Sequence, residues 1–320
     1  MMKFARKLVP IFFASLLPTL SMANEYPWPE ANTRLIGDNP VHIVQAGEHL
    51  EKIAKAYNVG FLALMSANPG VDPYLPKPGT FITVPQQVIL PDVEYEGIVI
   101  NLAELRLYYF DTDNRKVHVF PIGIGRIGRD TPIMQTKISQ KRENPTWTPP
   151  ASLRKEYLEE RNIVLPDVVP AGPDNPLGTH ALRLAYGTGS YLIHGTNKSF
   201  GIGLRVSAGC IRMRPTDIVW LYNKVAVGEK VRVINEPVKV SFEPDGTVFV
   251  EAHRPLSADE TQVGKRVLTQ PDPRISNWLE LNQMNVNRYR AALAVQSGVP
   301  IEVGYAIAQN AAAPEGAADL

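Results

Sequence analysis

Cys210 is the only cysteine in a chain of 320 residues, and it stands in the stretch RVSAGCIRM, residues 205–213. His194 lies sixteen positions earlier, at the end of the apolar run SYLIH. A thiol attacks as the thiolate, and a free cysteine with a pKa of about 8.5 is mostly protonated at neutral pH. An adjacent imidazole can accept that proton and stabilise the thiolate as an ion pair. Once protonated, the same ring can donate to a leaving amine. Gly209, directly before the cysteine, lets the backbone turn tightly and approach a substrate carbonyl. The amide N–H groups of Gly209 and Cys210, with that of Ala208, are candidates for an oxyanion site. No Asp or Glu adjoins His194, so the Gly195 carbonyl is the candidate group for orienting its ring.

Plainer roles exist for each of these residues. A lone cysteine can be a small buried hydrophobe, His194 a polar residue closing a strand, and Arg212 a surface partner of Asp217. A metal site is poorly supplied. One cysteine and one histidine make half of a tetrahedral set, and no carboxylate pattern completes it even if His180 joins. The expectation is no metal and no cofactor.

The elements that must position this pair can be read around it. SYLIH is a short strand paired with THALRLAY, and GLRVS is a second strand-like piece leading to Cys210. Two strand ends joined by a glycine-rich loop can meet at one edge of a sheet. IVINLAELRLYYF and RKVHVFPIGIG read as apolar strands joined by the polar turn DTDN. RPTDIVWLYNKV reads as a helix capped by Thr216 or Asp217, and EKVRVIN returns as a strand. These place the reactive pair in a unit spanning residues 97–235. Within it, residues 140–178 form a long proline-rich segment, with SLRKEYLEER as a short helix. Long loops in compact domains are usually lids or binding elements.

Ahead of this unit, residues 41–85 read as strand, helix, helix, strand, with Asn68-Pro69-Gly70 stopping the second helix. Behind it, residues 236–305 carry a hairpin with Asp245-Gly246 at the turn, then one or two helices. No chemistry is legible there, and its expected role is support. The small, polar residues 306–320 read as a disordered tail.

The N-terminus sets the compartment. Residues 1–23 hold Lys3, Arg6 and Lys7, then an apolar run from Leu8 to Leu20, and end Ser21-Met22-Ala23. That is the anatomy of a cleaved export signal. The run is shorter than the roughly 20 residues that span a bilayer, so no membrane span is expected after cleavage. The organisation points to a periplasm, an oxidising space where an unpaired thiol is unusual. Removing three cations from a net charge of +1 leaves 1 − 3 = −2, which gives no basic field for nucleic acid.

Taken together, IHGTNKSFGIGLRVSAGCIRMRPTDI resembles the signature of the L,D-transpeptidases: His-Gly-Thr, a gap, then Ser-x-Gly-Cys-Ile/Val-Arg. GIVINLAELRLYYF, VFPIGIG, PTWTPP and PAGPDNPLG are similar to the wider layout of the family's periplasmic enterobacterial-type group. HIVQAGEHLEKIAKAYNV, ANPG and PKPGTFITVP resemble a LysM module, with Glu48-His49 where that family usually has Asp-Thr. Ala208 stands where many transpeptidases have a histidine, so His194 is the only imidazole the motif offers. The resemblance implies a mainly β chain with some α: a β-sandwich-like catalytic domain, a small βααβ module and a C-terminal extension. It implies that Cys210 attacks the bond after meso-diaminopimelate in a stem tetrapeptide of peptidoglycan, releasing D-Ala. His194 serves as base and then acid, Gly195 orients it, Gly209 supplies an oxyanion amide, and Arg212, Ser207 and Thr196 hold the substrate. The acyl acceptor implied first is the C-terminal Lys of an outer-membrane lipoprotein. The alternatives are a second stem, giving 3–3 cross-links, water, or a non-catalytic chain that only binds peptidoglycan and its glycan.

Overall fold

The computed structural model describes residues 24–305, apart from residues 32, 199, 263, 264, 266 and 283. The expected export signal, residues 1–23, and the expected tail, residues 306–320, lie outside the described residues. Among the described residues, no helix is long and apolar enough to cross a membrane.

The chain is mainly β with short helices. Nine strands form one sheet in the order Asn24–Pro27, Lys116–Pro121, Arg106–Asp111, Gly97–Asn101, Lys230–Ile234, Met134–Glu143, His180–Leu184, Leu192–His194, Ile211–Arg212. The sheet curls. Gly123, just past the strand Lys116–Pro121, exchanges backbone hydrogen bonds of 2.9 and 2.8 Å with Arg212 on the far strand. Such closure removes an open edge. Inside the curl pack Ile98, Ile100, Leu107, Phe120, Ile193 and Ile211, with Ile218 and Leu221 of the helix Pro215–Lys224 laid against them.

Three local readings change. IVINLAELRLYYF is two strands, because Leu105 turns at φ 56° and the chain doubles back at residues 102–105. The Asn101 side chain bonds Glu104 across that turn. The strand Met134–Glu143 went unread, since most of its side chains are polar and exposed, and it carries into the segment expected to be loop. Arg214, not Thr216 or Asp217, is the N-cap of the helix Pro215–Lys224. Pro215 occupies the first turn, where its missing N–H has no partner to lose.

The βααβ unit is present as expected in kind. Val41–Ile43 pairs with Phe81–Thr83, and the helices Leu50–Ala56 and Phe61–Ala67 close a small core of Leu50, Ile53, Leu64 and Ile82. His49 Nδ1 accepts from the Lys52 N–H and caps the first helix. Glu48 holds His42 Nε2 at 2.7 Å and the Gln45 N–H at 2.9 Å. The unusual Glu48-His49 pair is therefore used to fold the module. The unit docks on the catalytic sheet by backbone and by one arginine. A Cβ on Gly203 would lie 2.5 Å from Phe61 N and 2.6 Å from Gly60 Cα. The Arg214 guanidinium donates to Val59 O at 2.9 Å and to the Asn58 side chain.

The C-terminal unit is a sheet of Val238–Phe242, Thr247–Ala252 and Ile301–Tyr305 under the helices Pro273–Leu281 and Val286–Val295. It is fastened by a buried ionic cluster. Lys239 Nζ lies 3.0 Å from both Glu104 and Glu251, and Arg106 reaches the same carboxylates at 2.9 and 2.6 Å. His253 joins Glu251 at 2.7 Å. Two carboxylates face two permanent cations, so the group is charge-balanced without a metal ion.

Candidate active site

The strands Leu192–His194 and Ile211–Arg212 are parallel neighbours, with Ile193 beside Ile211 and His194 beside Arg212. Side chains alternate along a strand. The two isoleucines enter the core. His194, Arg212 and the preceding Cys210 therefore belong to the opposite face, where the proline-rich segment lies. The geometry brings thiol, imidazole and guanidinium to one end of the curled sheet.

His194 is 3% exposed. Its Nδ1 lies 2.6 Å from the Gly195 carbonyl oxygen. A carbonyl only accepts, so Nδ1 carries the proton and Nε2 keeps its lone pair. Burial, and then the charge on Arg212, bring the His194 pKa down to about 4, against the pull of the Gly195 and Leu177 backbone. Burial pushes the Cys210 thiol up, although the Leu192 backbone and the Arg212 charge work the other way. The half-buried sulfur also lies 3.6 Å from the Ser190 carbonyl oxygen. Both groups rest neutral. The thiolate–imidazolium pair that the residue types suggest is disfavoured here because burial penalises both charges.

The turn before the cysteine is held from inside. Ser207 Oγ accepts from the Gly209 N–H at 3.2 Å and donates to the Cys210 carbonyl at 2.5 Å. Thr131 Oγ1 donates to the Gly209 carbonyl at 2.9 Å. Gly209 sits at φ 103°, and a Cβ there would come within 3.2 Å of the Tyr191 ring. Its amide is thus engaged within the turn, which leaves Ala208 and Cys210 as the oxyanion candidates. Ser207 and Thr196 are buried, and neither offers its hydroxyl outward. Thr196 Oγ1 bonds the Lys198 N–H and carbonyl at 3.1 and 3.0 Å. The substrate contacts expected of these two residues give way to turn-holding bonds.

Arg212 differs. Its Nε is buried without a hydrogen-bond partner, and among the described residues no carboxylate lies within 4 Å of it. Asp217, its alternative partner, is buried beside Arg214 instead, and burial pushes that carboxyl up to about 7 against the Arg214 charge. His180 lies on another strand, bonded to Thr179 and packed edge-on to Tyr222.

The proline-rich segment is folded over this end of the sheet. Asn175, fully buried, donates to the carbonyls of Pro145 and Pro170 at 2.7 and 3.0 Å and accepts from the Leu177 N–H. The helix Ala151–Arg161 is tied down through Glu156, which pairs with Arg126 and Arg129. Thr131 and Asn175 were not singled out from the sequence, since an isolated Thr or Asn carries no spacing signal.

A curled, mainly β domain with a thiol, a neutral imidazole and an unpaired guanidinium at one strand end has the parts of an acyl-transfer enzyme. Comparison with known proteins makes the class specific. The L,D-transpeptidase catalytic domain profile matches residues 96–233, the L,D-transpeptidase C-terminal domain profile residues 237–303, and the LysM domain profile residues 42–85. The probable L,D-transpeptidase YcfS of Escherichia coli K12 is 49% identical over 309 residues, covering 94% of this chain and 95% of that protein. The probable L,D-transpeptidases ErfK/SrfK and YbiS of the same strain are 45% and 46% identical, covering 88% and 87% of this chain and 92% and 91% of theirs. The chain belongs to the L,D-transpeptidase family and is an L,D-transpeptidase enzyme.

Proposed function

We propose that the protein is a periplasmic L,D-transpeptidase that works through Cys210 and uses a peptidoglycan stem tetrapeptide as acyl donor. The observation that carries this is the chain's one thiol placed one strand away from a buried imidazole whose Nε2 is unprotonated. In the first step Nε2 of His194 takes the thiol proton as Sγ bonds to the carbonyl carbon of meso-diaminopimelate that is joined to D-Ala. The C–N bond then breaks, and the imidazolium returns the proton to the departing D-Ala amine. A thioester remains on Cys210. In the second step an amine attacks it, His194 accepts the amine proton, and the thiol is restored. Gly195 fixes the ring tautomer, and the turn held by Ser207 and Thr131 presents the amides near Cys210 to the developing oxyanion. No cofactor takes part.

The acceptor we propose is the C-terminal Lys of an outer-membrane lipoprotein, with the LysM unit resting on peptidoglycan glycan. Residues 1–23 would direct export and then be removed. Muropeptides from cells expressing the wild type and Cys210→Ala, compared by mass spectrometry, test this. Tripeptide stems carrying a Lys-containing peptide remnant in the wild type alone support it. Stem-to-stem 3–3 products would redirect the acceptor, free tripeptide alone would make the enzyme a hydrolase, and equal profiles would overturn the role of Cys210.

A further inference from the structure

Among the described residues, Arg212 forms no ion pair with a carboxylate. Its Nε is buried and unpartnered. Two acidic groups of the segments around the site are already engaged: Glu156 by Arg126 and Arg129, and Asp130 by Arg205 at 2.5 Å. A half-buried guanidinium left in this state favours an incoming anion, and its planar fork fits a carboxylate in particular. Arg212 also sits beside His194 in register and two residues beyond Cys210 on the same face, so its Cα lies about 7 Å from that of the nucleophile.

We propose that Arg212 receives the free carboxylate of the leaving residue and so restricts the donor to stems ending one residue past the attacked carbonyl. The inference rests on Cys210 being the nucleophile. In such a stem the terminal carboxylate is three bonds from the attacked carbon, roughly 4–5 Å by ordinary bond lengths. A stem one residue longer has a neutral amide at that place and carries its carboxylate about 3.5 Å further out. The carboxylate also acts on the base. Arg212 disfavours the imidazolium at His194, and an anion bound to the guanidinium cancels that effect. The base is strengthened when the correct stem is seated.

The test uses the mature full-length enzyme with a Lys-bearing acceptor peptide and four donors: the muropeptide tetrapeptide, its C-terminal carboxamide, its analogue amidated on the diaminopimelate side-chain carboxylate, and the pentapeptide. Loss of one partner of a close charge pair corresponds to about 100-fold in kcat/KM. The wild type is expected to prefer the free acid to the C-terminal amide and the pentapeptide by that factor, and to tolerate side-chain amidation. Arg212→Gln should lose the preference by slowing on the acid alone, and Arg212→Lys should recover part of it. A second readout needs no turnover. Because Cys210 is the only thiol, intact mass reports its alkylation by iodoacetate against iodoacetamide. The wild-type ratio should exceed that of free cysteine and fall to it in Arg212→Gln. Equal wild-type rates on acid and C-terminal amide, a preference governed by side-chain amidation, or a preference surviving in Arg212→Gln would each overturn the proposal. Release of D-Ala by Cys210→Ala would instead overturn the nucleophile, separately from this inference.

Discussion

The reactive pair should behave as a neutral thiol and a neutral imidazole until substrate arrives. Burial raises Cys210 from an ordinary 9.0, and His194 is brought to about 4. A group titrating near 4 is protonated in about one molecule in a thousand at pH 7. Burial of the thiol opposes the thiolate as well, so the ion pair is scarce in the free enzyme. The perturbation is pH, and the assay is the second-order rate of iodoacetamide alkylation at the single thiol, followed by intact mass. The rate should rise about tenfold per pH unit from pH 6 to 8, as for a thiol with no low-pH thiolate population. His194→Ala should leave that shape intact while abolishing acyl transfer. For turnover the sign is that of any histidine base, displaced to lower pH. The base is available wherever His194 is neutral, so the acid limb of kcat/KM should fall near pH 4 rather than near 6.5. A flat alkylation plateau from pH 5 to 8 that disappears in His194→Ala would refute the reasoning, because it is the mark of a preformed pair.

Ser207→Ala leaves the Gly209 N–H and Cys210 carbonyl without their shared partner; calorimetry should show a loss of about 1–3 kcal/mol. Lys239→Met leaves Glu104 and Glu251 facing each other with only Arg106 and His253 between them, a loss of about 3–5 kcal/mol in thermal unfolding. Burial, the largest effect, raises both carboxyls, but the charges of Lys239, Arg106 and His253 together outweigh it and hold them below their ordinary range. Their contribution is therefore present above the unfolded Glu pKa of about 4.3 and lost as pH falls through the folded values. In Lys239→Met that loss should begin at higher pH, and an unchanged acid profile would count against the cluster. Gly203→Val, with a Cβ 2.5 Å from Phe61 N, should separate the βααβ unit from the sheet and speed limited proteolysis in segment 86–96.

The pattern that was legible in the sequence is the one that chemistry and local periodicity write together. The strand ending at His194 and the glycine-rich loop show as residue types, but the partner strand differs: GLRVS, expected to meet it, pairs through Arg205–Ser207 with Ile124–Gly125, and the neighbour of Leu192–His194 is Ile211–Arg212, just past Cys210. The helix Ala151–Arg161 was legible inside the proline-rich segment for the same reason. What escaped depends on partners far along the chain. Met134–Glu143 is a central strand whose outward side chains are polar, so its alternation is weak. The Lys239–Glu251 cluster joins residues about 140 positions apart to Glu104 and Arg106, and a lone buried lysine has no local mark. Ser207 is assigned to substrate only through the family resemblance. Only the backbone geometry shows that it is consumed by the turn.

One consequence joins the two functional units. The loop from His194 to Cys210 does more than bring imidazole and thiol to neighbouring strands. Its Gly203 is pressed against Gly60 and Phe61 of the βααβ unit, and Arg214, four residues past the thiol, is buried in that unit's carbonyls at Ala54 and Val59. Gly203 at φ 79° fills a backbone-to-backbone contact that a side chain would block. The same short stretch therefore fixes the reactive pair on one side and the small module on the other. A buried guanidinium bonded to three groups does not let go at low cost. The βααβ unit is held in one orientation to Cys210 rather than tethered by a free linker. A glycan seated on it would then deliver its stem peptide to the thiol at a set distance, with no loop-closure entropy spent on the search.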